Sequence, residues 1–300
     1  MMMRNLMLTL AYDGSDFHGW QVQPGLRTVQ GCLEQALRRT LRHQVVVIGC
    51  SRTDSGVHAA AHVENVFTTL PTPTRNIFRS LGARLPKDMT ALRLADVPLT
   101  FHATRSAVSK LYRYRIHNTT CRPCEQLLQR FVYHFWQPLD IERMREAAQH
   151  WVGTHDYSSF VSAGNERSSN VRTVHRIEIS RVGWEIQIDI EGAGFLYKQV
   201  RNMVGTLVEI GRGHWPAAAA KEILDARDRA NAGPTAPARG LCLRWVRYDI
   251  PSLPEPSAEL RMRAESAEPP AGVMRAEVER LGRATAPAPP GIDLHEEPPA

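Results

Sequence analysis

The sequence predicts an α+β protein made of two similar halves of mixed α/β character, with their sheets side by side and a cleft where they meet. Three observations predict it. Segments of period two alternate with segments of helical period through residues 1–250. The alternation runs twice over comparable lengths, as expected of two packed sheet-and-helix units. The last fifty residues then abandon it. This gives an N-terminal half, 1–104, a C-terminal half, 105–251, and a Pro/Ala/Glu-rich disordered tail, 252–300.

In the first half, Leu6 to Tyr12 predicts a strand and Asp13-Gly14-Ser15 its turn. Thr28 is placed to cap a helix whose apolar positions Val29, Leu33, Leu37 and Leu41 recur at every fourth residue. The β-branched run Val45-Val46-Val47-Ile48 predicts a buried strand, residues 75–84 a second helix, and Met89 to Val97 the closing strand. In the second half, Lys110 to Ile116 predicts a strand and about 140–152 a helix. Val174, Ile177 and Ile179 should face Ile186, Ile188 and Ile190 in a hairpin turning at Val182-Gly183-Trp184. A helix from about Phe195 to Ile210 carries Leu196, Val200, Met203, Val204 and Leu207 on one stripe. Another helix follows Pro216, and Leu241 to Tyr248 supplies the last strand. From residue 251 onward the chain holds ten of the twenty prolines and no aromatic residue, so it buries too little apolar surface to offset its ordering entropy. A helical fragment at 273–282 remains open.

With 43% hydrophobic residues and six Trp in 300, wholesale disorder and a small disulfide-stapled scaffold are both excluded. No run approaches the roughly 18 apolar residues of a membrane span. The Met-Met-Met-Arg-Asn start enters a strand without a signal-peptide pattern, so a cytoplasmic protein with no membrane partner is expected. Five cysteines, an odd and sparse set, fit a reducing compartment. Cys121-Arg-Pro-Cys124 has no second pair at zinc-ribbon spacing and reads as two unpaired thiols in a loop. The net charge of +6 hides an asymmetry: five arginines against nine carboxylates leave residues 251–300 at −4 and the body at +10. A body that basic favours a polyanion, nucleic acid first among them, although solubility alone would also account for it.

The densest polar cluster is Cys50-Ser51-Arg52-Thr53-Asp54-Ser55-Gly56-Val57-His58. Its Thr-Asp-Ser-Gly stretch is turn-like and puts Asp54 at a strand end, where loops carry sites; alone, such an Asp is more often an Asx-turn residue. Cys50, Asp54, His58 and His62 also recur at every fourth residue, but on one helix they drift round the axis and cannot converge on a metal. His58 and His62 alone could, which leaves a metal-dependent hydrolase as a competing class. In Lys110-Leu111-Tyr112-Arg113-Tyr114-Arg115, a strand puts Lys110, Tyr112 and Tyr114 on one face. That face could stack a base and hold its phosphate, or be two tyrosines of a sheet core. Arg201 lies one position off its helix stripe, so its guanidinium should emerge at the core edge in search of a carboxylate. Gly192-Ala193-Gly194 lacks the third glycine of a dinucleotide fingerprint, and no Walker loop, serine elbow or His-Glu-x-x-His occurs.

Tyr12-Asp13-Gly14-Ser15, His18-Gly19-Trp20-Gln21 and Arg52-Thr53-Asp54-Ser55-Gly56-Val57-His58-Ala59 resemble the TruA-type tRNA pseudouridine synthases. Phe101-His102-Ala103, Tyr112-Arg113-Tyr114, Val200-Arg201-Asn202-Met203-Val204-Gly205 and Gly240-Leu241 extend the likeness in order, over about 6–249. The resemblance implies a fold of two similar α/β halves sharing an antiparallel-rich central sheet, with a basic cleft between them. It implies a cofactor-free, metal-free homodimeric isomerase that converts uridine to pseudouridine at positions 38–40 of the tRNA anticodon stem-loop. It also implies roles: Asp54 as nucleophile, Arg201 as its partner, Tyr112 as the base-stacking tyrosine, Arg52 in extruding the nucleotide, and Leu241 among the substrate-binding positions. A catalytically idle RNA-binding protein on the same fold is the alternative. Two departures stand out. Thr104-Arg105 follows Phe101-His102-Ala103 where the family has Arg and an aromatic, which on a strand would turn the cation to the opposite face; Ser51 stands where glycine is common.

Overall fold

The structure, a computed structural model, describes residues 2–123, 126–164 and 168–250. The tail 252–300, its fragment 273–282 and Cys124 lie outside the described residues.

The elements are β1 (Arg4–Tyr12), α1 (Val29–Leu41), β2 (Ile48–Gly49), β3 (His58–Thr68), α2 (Thr74–Gly82), β4 (Met89–Val97), β5 (Ala107–His117), α3 (Gln126–Phe131), β6 (Tyr133–His134), α4 (Ile141–Gln149), β7 (Gly153–Asp156), β8 (Val171–Val182), β9 (Glu185–Gly192), α5 (Gln199–Gly211), α6 (Ala219–Ala226) and β10 (Leu241–Tyr248). The fold is α+β. One ten-stranded, mostly antiparallel sheet runs β4-β1-β3-β10-β5-β9-β8-β7, with β2 added on β3 and β6 on β5. Among the described residues, strands from 4–97 join those from 107–248 through two parallel pairs, Cys242 with His58 and Leu243 with Ala59. Beside that seam Arg130 of α3 reaches across to pair with Asp13 and Asp16.

Helix α1 starts where Thr28 accepts the Gly31 amide, and buries Val29, Leu33, Leu37 and Leu41. The β8–β9 hairpin buries all six of its expected apolar residues. The three-residue step from Val174 to Ile177 keeps both on one face because the register shifts between Val174 and Arg176. Helix α4 starts one residue inside its Asp140 cap, whose carboxylate accepts the amides of Glu142 and Arg143, and ends at Gln149.

Several expectations require correction. Of Val45–Ile48, only Ile48 enters a strand. The Val47 amide donates to the Glu34 carboxylate and its carbonyl accepts from the Gln30 side-chain amide, both on α1, so the segment lies across the helix with Val46 74% exposed. Strand β3, central to the sheet, went unseen: its inward polar residues His62, Glu64 and Asn65 break the apolar pattern, yet all three are buried. Helix α5 begins four residues later than expected, because Lys198 adopts a left-handed conformation (φ 58°) and the Gln199 side chain accepts the Leu196 amide in a turn. Nor is α5 buried along one stripe: every residue of it except Arg201 is buried, as in a helix packed on all sides. The segment carrying Thr104-Arg105 is a turn, with both amides given to His102 Nδ1, so the expected change of strand face does not arise.

Candidate active site

The Asp54 segment leaves the sheet after Gly49, and its carbonyls are taken up from below. Lys110 Nζ donates to Cys50 O at 2.8 Å, His62 Nε2 lies 2.9 Å from Ser51 O, and the Trp20 amide donates to Thr53 O at 3.0 Å. The Tyr12 and Thr53 hydroxyls share a hydrogen bond of 2.9 Å. Trp20 reaches this position because Gly19 has φ +86°; a Cβ there would sit 2.8 Å from Thr53 O. The Val57 amide closes the turn on Asp54 O at 3.1 Å, leaving the carboxylate at its outer edge.

Asp54 meets Arg201, 147 residues away in the chain: Nη1 donates to Oδ2 at 2.6 Å. The two side chains are 19% and 14% exposed, so solvent screens the contact only in part. Arg201 is aimed from behind, its Nε donating to Ala236 O at 2.8 Å while the Ala236 amide donates to Arg201 O at 3.1 Å. The loop carrying Ala236 comes this close because residue 205, one helical turn on, is glycine; a Cβ there would stand 1.6 Å from Pro234 O.

Tyr112 lies under the same segment, 6% exposed, its hydroxyl 3.2 Å from Ser51 Oγ and its ring edge-on to Phe195 at 5.3 Å between centroids. Burial pushes its phenol well above the ordinary range, with the Ser51 hydrogen bond opposing and the Asp54 charge adding. The neutral phenol is thus the favoured form there. The rest of the predicted Lys-Tyr-Tyr face has other work. Lys110 is buried against Cys50 O and not available to a phosphate, and Tyr114 is fully buried, donating to Pro237 O at 2.7 Å. Arg113 and Arg115 are held in ion pairs with Asp189 and Glu185.

Arg52 is exposed beside Asp54 with no partner among the described residues. Leu241 is buried at the head of β10, opposite Tyr114. His58 Nε2 lies 3.1 Å from Arg130 O and 3.2 Å from Arg239 O, while His62 is engaged by Ser51 and Glu64. Among the described residues no three His, Cys, Asp or Glu side chains are grouped to hold a metal ion. No described helix is long and apolar enough to cross a membrane. Cys121 is an exposed free thiol. Sequence reasoning missed Phe195, Ser51 Oγ and the Ala236 carbonyl; only Ser51, as a departure from the family pattern, gave any signal.

Fold and site together bring one carboxylate against a guanidinium beside a buried tyrosine, at the seam of a large antiparallel-rich sheet in a basic protein. A family profile described as tRNA pseudouridine synthase matches residues 9–105 and 147–249. The tRNA pseudouridine synthase A of Moorella thermoacetica is 44% identical over 245 residues, 81% of this chain and 99% of that protein. That of Halalkalibacterium halodurans is 43% identical over 240 residues (80% and 90%), and tRNA pseudouridine synthase A 2 of Clostridium perfringens 40% over 246 (82% and 100%). The chain belongs to the tRNA pseudouridine synthase family.

Proposed function

We propose that the protein isomerises uridine to pseudouridine at positions 38–40 of the tRNA anticodon stem-loop, with Asp54 as nucleophile, as a cytoplasmic homodimer whose halves divide at 104/105. The Asp54–Arg201 contact carries this reading. The reaction breaks N1–C1′, joins C5 to C1′, takes a proton from C5 and returns one to N1, so composition is unchanged. It needs a carboxylate held in place inside the pocket, and the guanidinium beside Asp54 pairs with that charge and fixes its direction. The carboxylate then attacks either the ribose C1′, expelling uracil, or uracil C6, and the detached base rotates within the pocket before rejoining.

The nucleotide must first leave the helical stack, at a cost of a few kcal/mol. Stacking against Tyr112 and contacts of the +10 body with phosphates offset that cost. Arg52, exposed and without a partner among the described residues, is available to fill the space left by the extruded nucleotide or to hold its phosphate. Leu241, buried opposite Tyr114 on the strand beside Tyr112, would contribute an apolar contact to the base. The division at 104/105 is supported by the narrow join between β3 and β10.

The test is incubation of the protein with an unmodified tRNA transcript, followed by mapping of pseudouridine. Product at 38–40 with the wild type and none with Asp54→Ala is expected. Binding of the transcript without product would favour the alternative, an idle RNA-binding protein on this fold.

A further inference from the structure

Beneath the Asp54 segment lies a second titratable pair that the proposed chemistry does not use. His62 is fully buried and Glu64 1% exposed, on the same face of β3. His62 Nδ1 stands 2.7 Å from Glu64 Oε1 and its Nε2 2.9 Å from the Ser51 carbonyl, three residues before Asp54. The Trp20 indole stacks on the imidazole with centroids 4.2 Å apart, so the ring cannot swing away. Glu64 Oε2 is buried with no hydrogen-bond partner among the described residues.

We propose that His62 and Glu64 are positioning residues for the reaction: one proton shared between His62 Nδ1 and Glu64 Oε1 keeps Nε2–H on the Ser51 carbonyl and so fixes the segment that ends in Asp54. This rests on Asp54 being the nucleophile. The argument is one of donors and acceptors. A carbonyl only accepts, so Nε2 must carry a hydrogen. Nδ1 then either carries a second one, facing a carboxylate, or accepts from a protonated carboxyl. In both forms a single proton lies between Nδ1 and Oε1. Remove it, and the carboxylate claims the one remaining ring hydrogen in a charge-assisted bond. The bare Nε2 is then left pointing at Ser51 O, acceptor against acceptor, and the segment loses one of its three buried anchors.

The surroundings favour the protonated, overall neutral pair. Burial pushes the Glu64 carboxyl up to about 7 against the pull of the His62 hydrogen bond. An unpartnered buried oxygen such as Oε2 suits a neutral carboxyl better than an anion. The other ionisable groups facing the pair are Cys50, Tyr12 and Tyr248, all shifted upward by burial and so uncharged near neutrality, and Lys110, which is held on the Cys50 carbonyl.

The test uses the full chain with His62→Phe, Glu64→Leu and Glu64→Gln. The glutamine amide can donate to Nδ1 without titrating, so it locks the Nε2–H form. His62→Phe and Glu64→Leu are expected to lower kcat about tenfold with KM for tRNA within about twofold. Glu64→Gln is expected to recover most of that loss. Wild-type kcat should decline as pH rises through about 7, where the Glu64 carboxyl loses its proton, and Glu64→Gln should lack that decline. A folded His62→Phe protein with wild-type kcat, or a Glu64→Gln profile superimposable on the wild type, overturns the proposal. Nitrogen-15 chemical shifts of the His62 ring give a readout independent of activity: protonated Nε2 at neutral pH is expected, and a bare Nε2 overturns it. Loss of the isomerase reading shows separately, as wild-type protein that makes no pseudouridine or Asp54→Ala protein that still does, and the ring shifts then decide the fate of the pair.

Discussion

Replacing Arg201 by lysine tests the centre of the site while keeping its charge. The arginine makes two bonds at once, Nη1 to Asp54 Oδ2 at 2.6 Å and Nε to the Ala236 carbonyl at 2.8 Å. A lysine carries one ammonium at the end of a flexible stem. If it reaches Asp54 it gives up Ala236, and nothing then aims it. A charge-assisted hydrogen bond of this kind is worth about 1.5–3 kcal/mol. If Asp54 is the nucleophile, as proposed, the contact orients it for attack, and its loss should fall on turnover, by roughly 10- to 150-fold. The assay is single-turnover pseudouridine formation at saturating enzyme, which isolates kcat from binding, with transcript affinity measured by filter retention. Affinity should change less than about threefold, since Arg201 lies inside the site and the net charge of the body is unchanged. Equal losses in turnover and affinity, or turnover within about twofold of the wild type, would refute the reasoning.

Tyr112→Phe should keep turnover within about threefold while Tyr112→Leu loses it by more than about tenfold, in the same assay, because a ring is needed and a protonated phenol is not. Gly205→Ala drives a methyl group onto Pro234 O and should lower stability by more than about 3 kcal/mol in urea unfolding, with activity falling as the Ala236 carbonyl moves off Arg201. The raised Glu64 carboxyl, at about 7, contributes stability that is fully present below its unfolded value and lost as pH rises through that of the folded state. Melting temperature should therefore fall between about pH 4.5 and about pH 7.5, and Glu64→Gln should flatten that fall. Deleting 252–300 should leave kcat and KM for tRNA unchanged, measured on the transcript.

What was legible in the sequence was whatever one face of one element writes down. The cap and stripe of α1, the paired isoleucines of β8 and β9, and the limits of β4 and β10 all follow from period and propensity. β3 was illegible because the information that makes it a strand lies in its partners. His62 bonds Glu64 and the Ser51 carbonyl, Asn65 bonds Asn5 on β1, and those contacts offset most of the cost of burying the polar residues. The Val45–Ile48 run misleads in the opposite sense: strand-forming side chains are present, but α1 side chains intercept the backbone. At the site, the Arg201 guanidinium could be placed at a core edge from its helix position alone. Its meeting with Asp54 could not, since a contact spanning 147 residues leaves no local trace and came only through resemblance.

The two-pair seam between β3 and β10 has a consequence for biosynthesis. The strand that bridges both parts of the sheet is the last of the described strands in chain order, and Asp54 and Arg201 are carried on opposite banks of it. Everything up to residue 240 can be synthesised and still lack the staple that brings those banks into register. A chain stopped before β10 is therefore expected to lack the assembled Asp54–Arg201 contact, and late, long-range strand closure is expected to pace the acquisition of activity during refolding.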